Sequence, residues 1–305
     1  ANRSVPWADW DEELLKVEFE DLESLGFALD LTGFDAREIE ALVKKTTDPE
    51  PQFDKAAELQ EKWDTALGQI WNIGRHSLTI SDSASVDPSK ADGVCTDPPY
   101  DLRVDVVAAC IKRHAGVSVM LVTDSQMVAL ANHLKYRWSM VWKHRNPRKL
   151  PNLSLPIMYH AMVPIFTTDD TIKTGWRKPR PDYGSVIETT IEYEDKGGQG
   201  FGKAVEVFER LLEGFSWKTV CDPFAGSGAT ILACENTGRR CVAIELQPSV
   251  AAVCLQRCED AGLSPVLESA KNARSGHQVQ SPFPSEAPNS AYRKKNNQLR
   301  RTSGA

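Results

Sequence analysis

The chain has 305 residues, with 36 Lys and Arg against 42 Asp and Glu, for a net charge of −6. That length accommodates one α/β domain with additions. No apolar run is long enough to cross a bilayer and the N-terminus carries no apolar signal region, so a membrane protein is excluded and a soluble, cytoplasmic chain is expected. The charge is uneven: residues 1–70 hold 18 acids and 7 bases, or −11, and −6 + 11 leaves +5 for residues 71–305. The acidity belongs to the N-terminal segment, and the mildly basic remainder suits contact with phosphates. The seven cysteines, Cys95, Cys110, Cys221, Cys234, Cys241, Cys254 and Cys258, sit mostly in apolar runs and form no Cys-x-x-Cys pair. They read as small reduced core residues rather than disulfides or metal ligands.

Residues 9–25 set Leu14, Leu15, Val17, Leu22 and Leu25 among acids, which predicts a helix with a broad solvated face, ended by Gly26. Asp35 and Glu38 form a capping pair for a second helix through Val43. A Pro-rich linker, Asp48 to Gln52, leads to a third helix, Phe53 to Leu67. A turn at Gly74 and a strand ending at Asp82 follow, and then a short buried strand, Gly93-Val94-Cys95, runs into Thr96-Asp97-Pro98-Pro99-Tyr100. Two consecutive prolines forbid a helix start and donate no backbone hydrogen bond, so this loop is stiff and extended. It presents a carboxylate, a proline carbonyl and an aromatic ring. The exocyclic amino group of a nucleobase offers two N–H donors beside a π face. Asp97 and the Pro98 carbonyl can each accept one N–H, and Tyr100 can stack. A rigid turn capped by a tyrosine is the plainer alternative.

Helix Val104–Arg113, strand Val117–Val122, helix Gln126–Lys135 and strand Trp138–Trp142 come next. This alternation predicts an α/β fold, a mostly parallel sheet with helices on both faces, whose ligands lie beyond the carboxyl ends of the strands. Residues 143–200 break the pattern. Lys143, Arg145, Arg148, Lys149, Lys173, Arg177, Lys178 and Arg180 stand against only Asp169 and Asp170 before position 181, with Trp176 and Tyr183 interspersed. A core strand, Ala161–Phe166, interrupts them, so two basic loops flanking one edge of the sheet are expected, suited to phosphate and base contact. A solvated loop surface is the alternative.

A glycine-rich turn, Gly197 to Val205, precedes a helix through Leu212. Strand Thr219-Val220-Cys221-Asp222 then leads through Pro223-Phe224-Ala225-Gly226-Ser227-Gly228 into an amphipathic segment, Ile231–Asn236. No Gly-Lys-Ser/Thr follows and an acid precedes the turn, so a phosphate loop is excluded and a cationic ligand fits better. The next strand, Arg240–Ile244, ends in Glu245, placed to meet ribose hydroxyls, with a solvated strand end as the alternative. Asp82, Asp97, Asp222 and Glu245 are expected to converge at one edge. Helix Pro248–Ala261 closes the fold, and the Ser-, Gly-, Pro- and Gln-rich residues from Asn272 onward predict a disordered tail with a basic end.

The two anchors, Asp97-Pro98-Pro99-Tyr100 and the Phe-x-Gly-x-Gly turn at 224–228, resemble those of the DNA amino-methyltransferases of the N6-adenine/N4-cytosine family, over roughly residues 56–258. The catalytic motif precedes the cofactor turn, the order that family calls β. The resemblance implies a Rossmann-like methyltransferase fold. It implies catalysis by Asp97, Pro98, Pro99 and Tyr100. It further implies S-adenosyl-L-methionine held by Asp82, Thr96, Phe201, Lys203, Asp222, Phe224, Ala225, Gly226, Ser227, Gly228 and Glu245, with double-stranded DNA met by the eight basic residues above. Ser81 stands where many members have Gly, and Ala204 replaces a proline. An Asp heading the tetrapeptide is more similar to the adenine-N6 members, since N4-cytosine members more often carry Ser there. Methyl transfer to adenine N6 after base flipping is therefore implied, with no metal. The alternatives are N4-cytosine methylation, an amide or RNA base, and a non-catalytic DNA-binding subunit. The acidic N-terminal block resembles the tail of a ParB-like domain, a helical appendage suited to dimerisation or a partner. Expected boundaries are 1–50 for the extension, 51–271 for the catalytic domain and 272–305 for the tail.

Overall fold

The computed structural model describes residue 22 and residues 48–87, 90–148, 158–177, 184–189 and 205–268, with backbone alone for 144–148 and 158–159. The helices expected in 9–25 and 35–43, and the basic tail, lie outside the described residues.

Ten strands form one sheet among the described residues. In chain order they are β1 (Ile70–Ile73), β2 (His76–Ile80), β3 (Gly93–Thr96), β4 (Val117–Met120), β5 (Lys135–Arg148), β6 (Met158–Thr167), β7 (Val186–Thr189), β8 (Thr219–Asp222), β9 (Arg240–Glu245) and β10 (Pro265–Glu268). Their spatial order is β10-β1-β2-β9-β8-β3-β4-β6-β5-β7. The five central strands, β2 through β4, are all parallel. The wings are antiparallel except that β7 runs parallel to β5. The parallel character thus resides in the centre, where the four acidic tips lie. β1 and β2 are joined through Gly74, whose φ of 57° suits a tight hairpin turn.

The helices are α1 (Ala56–Trp63), α2 (Val104–His114), α3 (Asp124–Leu130), α4 (Val205–Glu213), α5 (Ala229–Asn236) and α6 (Pro248–Asp260). The two sides of each central strand feed different cores. Cys95, Val119, Val220 and Ala243 pack with apolar residues of α4, α5 and α6, while their neighbours Val94, Met120, Cys221 and Ile244 pack with Val107, Ala108 and Ile111 of α2 and Leu130 of α3. Period-two alternation therefore sorts one continuous apolar strand into two layers, with helices on both faces of an α/β sheet. All seven cysteines are buried, and none forms a disulfide. Within the described residues no helix is long and apolar enough to cross a membrane.

Several boundaries differ from expectation. α1 stops four residues before Leu67 because Asp64 adopts a left-handed φ of 48°, which ends the ladder. α3 begins at Asp124 rather than Gln126, under a capping box in which Gln126 N–H donates to the Thr123 hydroxyl and Thr123 N–H donates to the Gln126 amide oxygen. β5 runs far beyond Trp142, and β7 and β10 had no counterpart in the sequence reading. The basic region differs most. β6 has ten residues, which at about 3.3 Å each carry the chain some 30 Å across the sheet. Its start pairs with Arg148 and its end with Val117, the first residue of β4. Residues 143–148 and 168–177 consequently emerge at opposite edges, not one.

Candidate active site at the carboxyl edge

The site is assembled by parallel register. Ile80 pairs with Glu245, Asp222 with Ala243, and Val94 with Cys221. Asp82, Glu245, Asp222 and Asp97 therefore stand in that order over neighbouring strand ends, spanning three strand spacings, roughly 14 Å. Asp97 is half-buried and Pro98 buried, whereas Pro99 is exposed and Tyr100 is 53% exposed. The carboxylate is thus held at the floor of the edge with the aromatic ring toward solvent.

The first loop has a support that the sequence reading missed. Gln126, itself buried, donates weakly to the carbonyls of Pro99 (3.5 Å) and Tyr100 (3.4 Å), and Leu102 N–H closes a turn on Pro99 O at 3.1 Å. The Thr-x-x-Gln capping pattern at 123–126 was the available signal.

The second loop is held by its neighbours. Ala225 N–H donates to Ile244 O at 2.9 Å, and Gly226 N–H donates to Glu245 Oε2 at 2.9 Å. Glu245 Oε1 also accepts from Gln247 N–H at 2.8 Å. The Leu246 N–H also bonds this carboxylate, and because a carboxylate has about four acceptor sites, capacity remains for a hydroxyl group. Burial pushes the Glu245 carboxyl above the usual carboxylate range, against the stabilising backbone donors. Gly226 has a φ of +52°, and a Cβ built there would meet nothing nearer than Phe224 O at 4.0 Å. That face of the turn is open for close approach by a ligand. Gly228 serves a different purpose: its Cβ would lie 2.6 Å from Cys254 Sγ, so glycine here lets the turn sit on α6.

Asp222 occupies the junction of the two loops. Its Oδ1 accepts from Thr96 Oγ1 at 2.5 Å and from Phe224 N–H at 3.1 Å. Thr96 and Asp222 are both almost fully buried. Desolvation pushes the Asp222 pKa up to about 6, opposed by hydrogen bonds from Thr230, Thr96 and Phe224 and reinforced by the nearby Asp97 charge. Asp222 and Thr96 were expected to meet the cofactor directly. Their side chains bind each other, joining the strand that carries one loop to the strand that carries the other. Asp82 Oδ1 accepts from Ala84 N–H at 2.9 Å and so also shapes its own loop.

The remaining expected residues separate. Ser227 Oγ accepts from the Arg257 guanidinium at 2.9 Å and is buried. Phe201, Lys203, Lys149, Lys178 and Arg180 lie outside the described residues, as do the side chains of Arg145 and Arg148. Lys143 Nζ is engaged with Glu188 at 2.9 Å. Lys173 and Arg177 are exposed but belong to the opposite edge, where Thr168 N–H bonds Gly116 O and Arg177 N–H bonds Gly214 O. They are not neighbours of Asp97. Asp48, expected in a linker, is instead ion-paired to Arg257, a pairing that the 209 residues between them hid from any local pattern.

Comparison with known proteins gives one family match: residues 13–65 fit the model of the ParB-methyltransferase HTH domain. The matched range continues through α1, past the boundary expected at residue 50. No curated protein matches the chain. Among solved structures, the M1.HpyAVI–SAM complex is 17% identical, covering 60% of this chain and 99% of that one, with a TM-score of 0.48. TTHA0409 from Thermus thermophilus, complexed with S-adenosyl-L-methionine, is 19% identical over 60% of this chain and 95% of its own, with a TM-score of 0.44. The cytosine-N4-specific PvuII DNA methyltransferase is 13% identical over 63% of this chain and 95% of its own, with a TM-score of 0.44. In sequence, then, the part of the chain that matches a known family is its N-terminal 13–65, which is similar to the ParB-methyltransferase HTH domain.

Proposed function

We propose that the chain is a DNA methyltransferase that uses S-adenosyl-L-methionine to methylate the exocyclic N6 of adenine in duplex DNA. The observation that carries this reading is adjacency. Asp97–Tyr100 and Phe224–Gly228 leave neighbouring parallel strands at one edge, tied by the Thr96–Asp222 hydrogen bond. The donor set also fits the cofactor: the open face of Gly226 admits a ligand beside the backbone, and Glu245 keeps acceptor capacity for a ribose.

When bound, S-adenosyl-L-methionine supplies an electrophilic methyl carbon whose bond to sulfur breaks as the N–C bond forms. The protein's task is to make the amine a nucleophile and to align it. An exocyclic amine is a weak nucleophile because its lone pair is delocalised into the ring. Accepting its N–H bonds at the Asp97 carboxylate and the Pro98 carbonyl favours a pyramidal nitrogen. The carboxylate stabilises the positive charge that develops there, and the amino proton then leaves toward it or toward solvent. Two prolines hold the acceptors still, so alignment requires little reorganisation. The target amine is enclosed in a duplex, so the base must be flipped out, and the exposed Tyr100 ring is positioned to stack on it. β5 runs in the same direction as the central strands, which brings the backbone of Arg145 and Arg148 to the edge that holds Asp97. Phosphate contacts from them would position the duplex.

The test is incubation of the purified chain with labelled S-adenosyl-L-methionine and duplex DNA, followed by nucleoside mass spectrometry. N6-methyl-2′-deoxyadenosine is the expected product. N4-methylcytosine would replace the base assignment, and no methylated nucleoside would overturn the reading.

A further inference from the structure

The buried Arg257 on α6 is unexplained by the chemistry above. It is 3% exposed and ties its own helix to two other segments. Its Nη2 donates to Asp48 Oδ1 at 2.6 Å, its Nε to Pro49 O at 2.8 Å and its Nη1 to Ser227 Oγ at 2.9 Å. Asp48 Oδ2 also accepts from the N–H of Val205, the first residue of α4, at 3.0 Å. One carboxylate therefore neutralises a buried guanidinium and caps a helix, while that guanidinium grips the turn carrying Gly226.

The surrounding contacts make this a fixed assembly. Cys254, one helical turn before Arg257, is the side chain against which Gly228 packs. Phe53, Ala56, Leu59 and Trp63 pack on Ala252 and Val253 of α6, and Lys62 bridges to Gln256 and Glu259 at 2.6 and 2.7 Å. Residues 48–65, the last part of the range matching the ParB-methyltransferase HTH domain, are thus bound to the helix that supports the glycine turn.

We propose that Asp48 and Arg257 are positioning residues for the cofactor turn, so that cofactor affinity depends on the segment that ends the N-terminal domain. The proposal rests on the methyltransferase reading for the identity of the ligand. A buried guanidinium deprived of its counter-ion seeks other acceptors, and releasing Ser227 lets the Gly226 amide drift from Glu245.

The test is calorimetric titration of S-adenosyl-L-methionine into the full chain, into Asp48→Asn, Ser227→Ala, the double variant and Arg257→Lys, with melting temperatures measured alongside. Asp48→Asn is expected to raise Kd about tenfold, as loss of a charge-assisted hydrogen bond does. The double variant should be no weaker than Asp48→Asn alone, and the kcat of Asp48→Asn at saturating cofactor should stay within about twofold of wild type, a split that loss of folded protein would not produce. Single variants binding within about twofold of wild type, or effects that multiply in the double variant, would overturn the proposal. Should Asp48→Asn fail to fold, Ser227→Ala and Arg257→Lys decide by the same affinities. Should the wild-type chain itself not bind S-adenosyl-L-methionine, the methyltransferase reading fails. Hydrogen exchange at Gly226 then tests the wiring separately, with faster exchange in Asp48→Asn supporting it and equal rates refuting it.

Discussion

The two ends of the central parallel strands are built on opposite principles. At the amino end, Trp217 fills the space over Gly93 and Gly175, where a Cβ would lie 2.3 and 2.6 Å from its ring. It stacks on Phe215 with centroids 4.0 Å apart and donates from its indole nitrogen to Thr174 O at 3.0 Å. Beside it, Arg239 donates to the carbonyls of Trp217, Thr237, Leu212 and Phe215. That end is plugged by aromatic rings and by a cation with its donors engaged. At the carboxyl end stand four acids, an open glycine and an exposed tyrosine. One end devotes its residues to closure, and the other gathers four acids around two loops. The proposed chemistry belongs at the second.

This contrast makes the ends separable by mutation. The largest effect is expected from Asp97→Ala, which should reduce the single-turnover rate of methyl transfer by about a thousandfold, with melting temperature and cofactor affinity nearly unchanged. At the plugged end, Arg239→Ala should do the reverse. It leaves several buried carbonyls without a donor and should cost about 3–5 kcal/mol in urea unfolding, while the folded fraction keeps its kcat.

A subtler probe is Asp222, buried at the carboxyl end. Its folded pKa of about 6 lies above the ordinary 3.8, so the folded state binds the proton more tightly than the unfolded chain. The associated stabilisation is fully present below pH 3.8 and is lost as pH rises through 6, for a maximum of about 3 kcal/mol. Asp222→Asn keeps an acceptor for Thr96 and removes the buried charge. It should therefore raise the melting temperature above pH 6, with the gain shrinking toward pH 4. A gain independent of pH would contradict the burial of an ionised carboxylate.

The smallest effects concern DNA. Arg145→Glu and Arg148→Glu should weaken DNA binding about tenfold and flatten its salt dependence, whereas Lys173→Glu, at the plugged end, should change affinity less than about twofold in fluorescence anisotropy. Equal losses from all three would mean that DNA reaches both edges.

The sequence conveyed the carboxyl end better than the plugged one, for physical reasons. Asp97-Pro98-Pro99-Tyr100 and Phe224–Gly228 are local motifs whose stiffness and turn geometry follow from their own residues, and the apolar runs before them marked β3 and β8. The four acidic tips followed from parallel connectivity. Arg257 and Asp48 could not be read this way, because an ion pair between residues 209 apart leaves no local pattern. Asp222 was legible as a residue but not as a bond, since only strand adjacency brings Thr96 to it. The misassigned edge of Lys173 and Arg177 was avoidable. A strand near 161–166 was recognised, and a single strand between two loops must deliver them to opposite ends of a sheet.

The central claim is that one cleft holds the cofactor at the glycine turn and the amine at Asp97. It is tested most directly with a bisubstrate analogue joining the N6 of adenosine to the position of the transferable methyl group. The analogue should bind at least about tenfold more tightly than S-adenosyl-L-methionine, and Asp97→Ala should erase that advantage while leaving affinity for S-adenosyl-L-methionine unchanged. An analogue that binds no better than S-adenosyl-L-methionine and is indifferent to Asp97→Ala would place the two loops in separate sites and contradict the account.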